Sequence, residues 1–278
     1  MVSIRQMTIA DLPLCRHLVT ESGWNQLDAD WLRALALEPD GCFVVEVNGE
    51  GVATATTARF ENIAWIAMVL VDKKMRGQGI AKQLLQHTIS YLRNLNVKTI
   101  RLDATALGQG LYEKLGFQGE YEVVRFAGIL NVDLHFDQHI HELKSSISIR
   151  DFDFEITETA REELLQHLID EAEKPFFYST ENKKIIGYAG YREGRNAVQI
   201  GPVIAVNPVA GNVLLNAIAA HFPGQNAFLD IPLDNKPAID WAENNGFTEQ
   251  RRFLRMYLGD KVNDQPESIW ASFGPEKG

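Results

Sequence analysis

Cysteine is scarce in this chain. The two present, Cys15 and Cys42, are too few for a disulfide framework, so a reducing, cytoplasmic setting is expected. Long apolar runs are missing too. The longest, Ile63 to Val71, has nine residues, which is strand length and far short of the ~20 a membrane-crossing helix needs. The first residues, Met1 to Leu14, carry polar groups throughout and hold no signal-peptide core. No membrane partner is expected. Basic charge is in deficit: 27 Lys and Arg stand against 37 Asp and Glu, a net charge of −10. A duplex nucleic acid needs a basic surface to neutralise its phosphates, so no nucleic acid partner is expected either. Disorder is excluded by an ordinary globular composition, 45% apolar and 23% charged. At 278 residues the length fits roughly two domains.

Against this acidic background one stretch reverses sign. Asp72-Lys73-Lys74-Met75-Arg76-Gly77-Gln78-Gly79-Ile80-Ala81-Lys82 carries four cations and one anion. It follows Ile63–Val71, which is too apolar for an edge strand and reads as a buried central one. It precedes Ile80, Leu84, Leu85, Ile89, Leu92 and Leu95, spaced by threes and fours as on an amphipathic helix. The remaining pattern predicts a strand at Val2–Gln6, helices to about Ser22 and over Asp28–Leu37, and a hairpin turning at Asn48-Gly49. A strand over Val97–Ala104, a short helix over Gly110–Leu115 and a strand over Gln118–Gly128 complete the first half. Residues 129–147 are polar and read as a connector.

The second half repeats the first. Gly116-Phe117 with Arg125 recurs 130 residues later as Gly246-Phe247 with Arg255. Leu84-Leu85 recurs at the same offset as Leu214-Leu215, and Leu102-Asp103 recurs 127 residues on as Leu229-Asp230. Val71, the end of the central strand, matches Val206 at an offset of 135. The second copy is therefore five residues shorter between strand and helix, and what it lacks is the glycine loop.

The loop has a physical use. Gly77 and Gly79 allow a tight turn and a close backbone approach. The first turn of the following helix leaves about four N–H groups free, and its dipole favours an anion. Together these make a phosphate cradle. No Gly-Lys-Ser/Thr closes the loop, so it is not a P-loop, and no third glycine stands at 82, so it is not a dinucleotide fingerprint. A plain surface turn before a helix has the same short pattern.

The loop and its flanks resemble the GNAT family of acetyl-CoA-dependent N-acetyltransferases. The family signature Arg/Gln-x-x-Gly-x-Gly/Ala stands here as Arg76-Gly77-Gln78-Gly79-Ile80-Ala81, after the strand Met68-Val69-Leu70-Val71. The later motif Leu-Tyr-Glu-x-x-Gly-Phe stands as Leu111-Tyr112-Glu113-Lys114-Leu115-Gly116-Phe117. The resemblance covers residues 1–128 closely. It implies an α+β fold of two tandem GNAT-like domains, each a mixed central sheet flanked by helices. Residues 1–135 would be the catalytic domain and 136–278 a degenerate copy. Acetyl-CoA would be the co-substrate. Its pantetheine arm would lie along Val69, Leu70 and Val71 of a splayed strand, its pyrophosphate on Arg76, Gly77, Gln78, Gly79, Ile80, Ala81 and Lys82. Gln109 would stand in for a cofactor-contacting Asn found in many members.

The resemblance maps the general acid onto Tyr112, whose ordinary pKa of ~10 lies close to that of a departing thiol. Asp103 is the candidate general base, with bracing of a loop as its alternative role. Trp24, Asn25 and Trp65 are candidates for the acceptor wall, with core packing as the alternative for the tryptophans. Ala242 replaces the acid in the second copy, which is expected not to bind acetyl-CoA. His135, His139 and His141 have no Cys partner nearby and read as solvated linker residues rather than a metal site. The expected activity is N-acetylation of a primary amine on a small molecule, an amino sugar, polyamine or amino acid derivative, by direct attack in a ternary complex. Acetylation of a protein or peptide amine, or silent acyl-CoA binding, are the alternatives. The sequence sets no oligomeric state.

Overall fold

The computed structural model describes residues 1–132 and 139–274. His135 and the boundary expected at 135/136 lie outside the described residues.

The first half runs β1 (Val2–Gln6), α1 (Leu12–Ser22), α2 (Asp28–Leu37), β2 (Phe43–Val47), β3 (Glu50–Phe60), β4 (Ile63–Val71), α3 (Ile80–Asn94), β5 (Thr99–Thr105), α4 (Ala106–Lys114) and β6 (Gln118–Ile129). The second runs β7 (Ile140–Leu143), α5 (Arg150–Thr157), α6 (Glu162–Glu171), β8 (Phe176–Glu181), β9 (Lys184–Arg192), β10 (Val198–Ala205), α7 (Pro208–Ala219), β11 (Asn226–Pro232), α8 (Lys236–Asn244), β12 (Thr248–Gly259) and β13 (Ile269–Ala271). Local chemistry sets several of these boundaries. Gly23, at φ 65°, ends α1 with its N–H on Thr20 and Val19 carbonyls. Asn48 and Gly49 turn the β2–β3 hairpin with positive φ at both positions, the mirror-image turn that matches strand twist. Two expectations need correcting. The expected connector contains β7, which pairs with β8, so part of that polar stretch is sheet. The helix carrying Tyr112 begins at Ala106, not Gly110.

The thirteen strands of the described residues join one sheet, ordered β1-β2-β3-β4-β5-β12-β6-β11-β10-β9-β8-β7, with β13 on β10. Each half supplies the same succession, and the two meet in the middle with their last strands exchanged. β12 pairs antiparallel with β5 of the first half. β6 pairs antiparallel with β11 of the second. β6 and β12 also pair with each other. The repeated Leu-Asp and Arg motifs are the locks of this exchange. Arg255 donates to Asp103 at 2.8 and 2.9 Å, and Arg125 donates to Asp230 at 2.7 Å through both Nε and Nη2. Each pair is buried and bidentate, the geometry that holds a guanidinium on a carboxylate best.

Around the first half, α1 and α2 cover one face and α3 and α4 the other. Ala67 and Met68 of β4 pack with Leu18 and Trp31 on the first face. Ile66 packs with Leu85, Ile89 and Phe117 on the second. Such a two-faced apolar strand is what Ile63–Val71 required. The two cysteines are free and buried, and burial pushes the Cys15 thiol up to about 12.

Candidate active site

The site starts with a pairing that stops. β4 and β5 are parallel neighbours only at Ile63↔Thr99, Ala64↔Ile100 and Trp65↔Arg101. Beyond Trp65 the strands part, and β4 keeps only β3 as a partner. The inner edges of the opening reach solvent: Val69 and Val71 on one side and Thr105 on the other are half-exposed, and Asp103 is exposed there through its backbone alone. Within β4 the register against β3 shifts between Thr54 and Thr56. Met68 there adopts φ +48°, and its carbonyl accepts from Thr54 Oγ1 at 3.0 Å. A bulge of this kind bends a strand and re-aims its backbone groups.

The strand then delivers the chain into the basic loop. Asp72 caps the turn by accepting from Lys74 N at 2.8 Å. Its other oxygen lies 3.1 Å from His17 Nε2 on α1, while Glu21 on the same helix accepts from Lys73 N at 3.1 Å. These contacts tie the loop to α1. Arg76 Nε donates back to the Val71 carbonyl at 3.0 Å. Gly77 and Gly79 sit at φ 77° and 80° with open space where a Cβ would be, conformations a β-carbon disfavours. Gly79 is the N-cap of α3 and brings no side chain to its free N–H groups. Lys73, Lys74, Arg76, Gly77, Gln78, Gly79 and Lys82 are exposed around that end, while Ile80 anchors it in the core and Ala81 is half-buried. A bare, glycine-entered helix start ringed by cations accepts an anion.

Tyr112 stands on α4, on the face of the sheet that α3 also covers. It is half-buried and packs with Val69 on the apolar cluster of β4, β5 and α3, 5.9 Å edge-on to Phe117. Burial pushes its phenol up to about 12, so the hydroxyl keeps its proton at neutral pH. That hydroxyl makes no hydrogen bond to the protein among the described residues. Gln109, one turn earlier, donates to Glu113 at 2.8 Å.

Other expected residues lie elsewhere than expected. Both oxygens of Asp103 are held by Arg255, and its side chain is 1% exposed. Held in this way and shut off from solvent, Asp103 braces the two halves, the alternative role expected for it, and lacks the access that an amine proton would need. Trp65 is buried with the Arg101 and Arg255 guanidinium groups against its ring, at 5.4 and 4.8 Å; it is core, not an open wall. Asn25 is likewise buried. It donates to the Ala197 carbonyl at 2.9 Å and accepts from Asn196 N at 2.8 Å and Ala197 N at 3.1 Å. Trp24 is half-buried against the α1–α2 core, and its carbonyl accepts from Asn196 Nδ2 at 3.1 Å. The α1–α2 loop is thus closed over by the β9–β10 turn of the second half. A groove of about 380 Å³ lies at the far end of β4, by Glu61, Ile63, Lys98 and Phe154. The paired residues Ile63 to Trp65 separate it from the opening.

Sequence reasoning missed one cluster beneath Trp65. Arg101 donates to Glu120 at 2.6 Å and Asp264 at 2.8 Å. Tyr121 donates to Asp264 at 2.8 Å and accepts from Arg255 at 2.7 Å. Burial raises the Glu120 carboxyl against the lowering effect of Arg101. Its residues come from four separate segments, so no local motif announced it.

Comparison with known proteins identifies the family. Residues 7–117 match the model of the acetyltransferase (GNAT) family, and residues 149–271 match that of an acetyltransferase (GNAT) domain. The chain belongs to the GNAT acetyltransferases, as a tandem member, and is an acyltransferase. It is 23% identical over 265 residues to the uncharacterized N-acetyltransferase YitH of Bacillus subtilis (strain 168), covering 92% of this chain and 91% of that one. In fold it is similar to a putative acetyltransferase from Pyrococcus horikoshii, with a TM-score of 0.87 at 22% identity over 100% of this chain and 96% of the other. It is also similar to a tandem GNAT protein from the clavulanic acid biosynthesis pathway, with a TM-score of 0.66 at 12% identity over 95% and 100% of the two chains. No helix among the described residues is long and apolar enough to cross a membrane. The family acts on an acyl-CoA and an acceptor. The first half fits an acyl-CoA: an open strand edge for an amide-bearing arm, then an uncapped helix start among cations for a pyrophosphate.

Proposed function

We propose that the first half transfers an acetyl group from acetyl-CoA to the primary amine of a small molecule. The observation that carries this reading is the opening after Trp65 on the strand that runs into the bare helix start at Gly79. Acetyl-CoA, when bound, supplies an activated thioester. The chain's own part is threefold. The edge of Val69 to Val71 orients the arm, and the N–H groups from Gly77 to Lys82 with the loop cations hold the pyrophosphate. Tyr112 holds a proton at its phenolic oxygen for the departing sulfur. The amine attacks directly, as its free base, with no acyl-enzyme: the C–N bond forms as the C–S bond breaks, the nitrogen sheds its extra proton to water, and Tyr112 regains from water the proton it gives to the sulfur. The cover that the β9–β10 turn places over Trp24 and Asn25 supports a small acceptor over a protein tail, because it narrows the side of the sheet on which an acceptor approaches.

A screen of amino sugars, polyamines, amino acid derivatives and short peptides, followed by release of free CoA thiol, tests it. Turnover with a small amine is expected. Turnover with peptides alone overturns the acceptor class, and acetyl-CoA binding with no turnover on any amine overturns the enzymatic reading of this site.

A further inference from the structure

The second half has the same opening as the first. β10 and β11 are parallel neighbours only at Val198↔Ala227, Gln199↔Phe228 and Ile200↔Leu229, and then part. Here the opening is filled. β13 lies in it, antiparallel to β10 at Val203↔Ala271 and Ile204↔Ile269. Ser272 N donates to the Asp230 carbonyl of β11 at 2.8 Å, so the segment spans both parted strands. Asn235, the N-cap of α8, donates to the Ile269 carbonyl at 3.1 Å. Ile204 and Pro232 are buried, whereas their first-half counterparts Val69 and Thr105 are half-exposed; Asp230 and Asp103 have equally buried side chains, and only the backbone of Asp103 is exposed.

The helix end differs in the same sense. Asn207 accepts from Ala210 N at 2.9 Å, closing with its own side chain the site that α3 leaves bare. Trp270 lies against that first turn, its Nε1 donating to the Ala205 carbonyl at 3.3 Å. Gly211 stands where the first half has Ala81, and a Cβ at Gly211 would collide with the indole.

We propose that residues 266–273 are a resident ligand of the second half. They are seated in the slot that corresponds to the pantetheine channel of the first, and the chain carries one acyl-CoA site instead of two. The chemistry of the substitution is simple. A pantetheine arm is an extended chain with two amide groups, and an extended peptide offers the same donors and acceptors to a strand edge. The indole takes the place at the helix start. The proposal rests on the reading of the first opening as the acyl-CoA site.

Hydrogen exchange on the full chain, with and without acetyl-CoA, tests it. In the free protein, peptides over residues 200–205 and 266–273 are expected to exchange at least about tenfold more slowly than those over 66–71, because only they are paired on both sides. Acetyl-CoA is expected to slow 66–82 and to change nothing in 200–205 or 266–273. Slowing at 200–205, or faster exchange at 266–273, on adding acetyl-CoA overturns the resident-ligand proposal. No change at 66–82 overturns the reading of the first slot, while slow exchange at 200–205 in the free protein still upholds the second; fast exchange there overturns it. Gly211→Ala is a second check. In an unobstructed helix this change raises stability. Here it is expected to lower the melting temperature and speed exchange at 266–273, and a raised melting temperature overturns the seat assigned to Trp270.

Discussion

Among the described residues the Tyr112 hydroxyl has no protein partner, and its half-buried ring packs on apolar neighbours. Replacing it by Phe leaves packing intact and removes only the proton. Tyr112→Phe is expected to lower kcat by about 10²-fold or more while leaving acetyl-CoA affinity unchanged, as removal of a general acid does; kinetics beside equilibrium binding separate the two. With the phenol pushed up to about 12, no fall in kcat from loss of its proton is expected below about pH 10. The linkage has a definite sign. The unfolded phenol ionises near ~10 and the folded one higher, so Tyr112 favours unfolding as pH rises above ~10. Asp103 behaves differently. Asp103→Ala leaves the buried Arg255 guanidinium uncompensated, at a cost of about 3–5 kcal/mol measured by denaturant melts. An unchanged stability with lost turnover would return Asp103 to the chemistry. The sequence marked this Asp by its repeat at Asp230, but not its partner, because Arg255 is 152 positions away.

Elements with a strong local signal were legible. The apolar run of β4, the helical spacing of α3 and the glycines between them each follow from neighbours in the chain. For the same reason the cradle is open to a local test. Gly79→Val forces a β-branched residue to φ 80°, at about 1–3 kcal/mol. It is expected to abolish detectable acetyl-CoA binding by calorimetry while the thermal unfolding transition stays cooperative; retained affinity would remove the loop from the site. β7 and β13 were not legible. β13 has three residues, too few for any alternation to show, and it exists because β10 and β11 leave an edge for it. β7 sits in a polar stretch whose strand character comes from pairing with β8. Both are elements made by their surroundings.

The repeat offsets made two copies of one fold readable, yet not the exchange that joins them. β6 and β12 carry the same Gly-Phe and Arg signals, so either strand satisfies the pattern in its own half or in the other. Only the registers on β5 and β11 decide it. The halves should therefore not fold apart. Residues 1–132 and 139–278, expressed separately, are expected to aggregate or melt without a cooperative transition, and co-expression is expected to restore one. A cooperative melt of the first fragment alone would refute this. The exchange also constrains the order of events during synthesis. Asp103 is made 152 positions before Arg255. At about 5–20 residues per second, β5 leaves the ribosome roughly 8–30 s before β12 can cover it. For that time the edge of β5 destined for β12 stands unpaired. The half that is made first is closed only by a strand made near the end of the second.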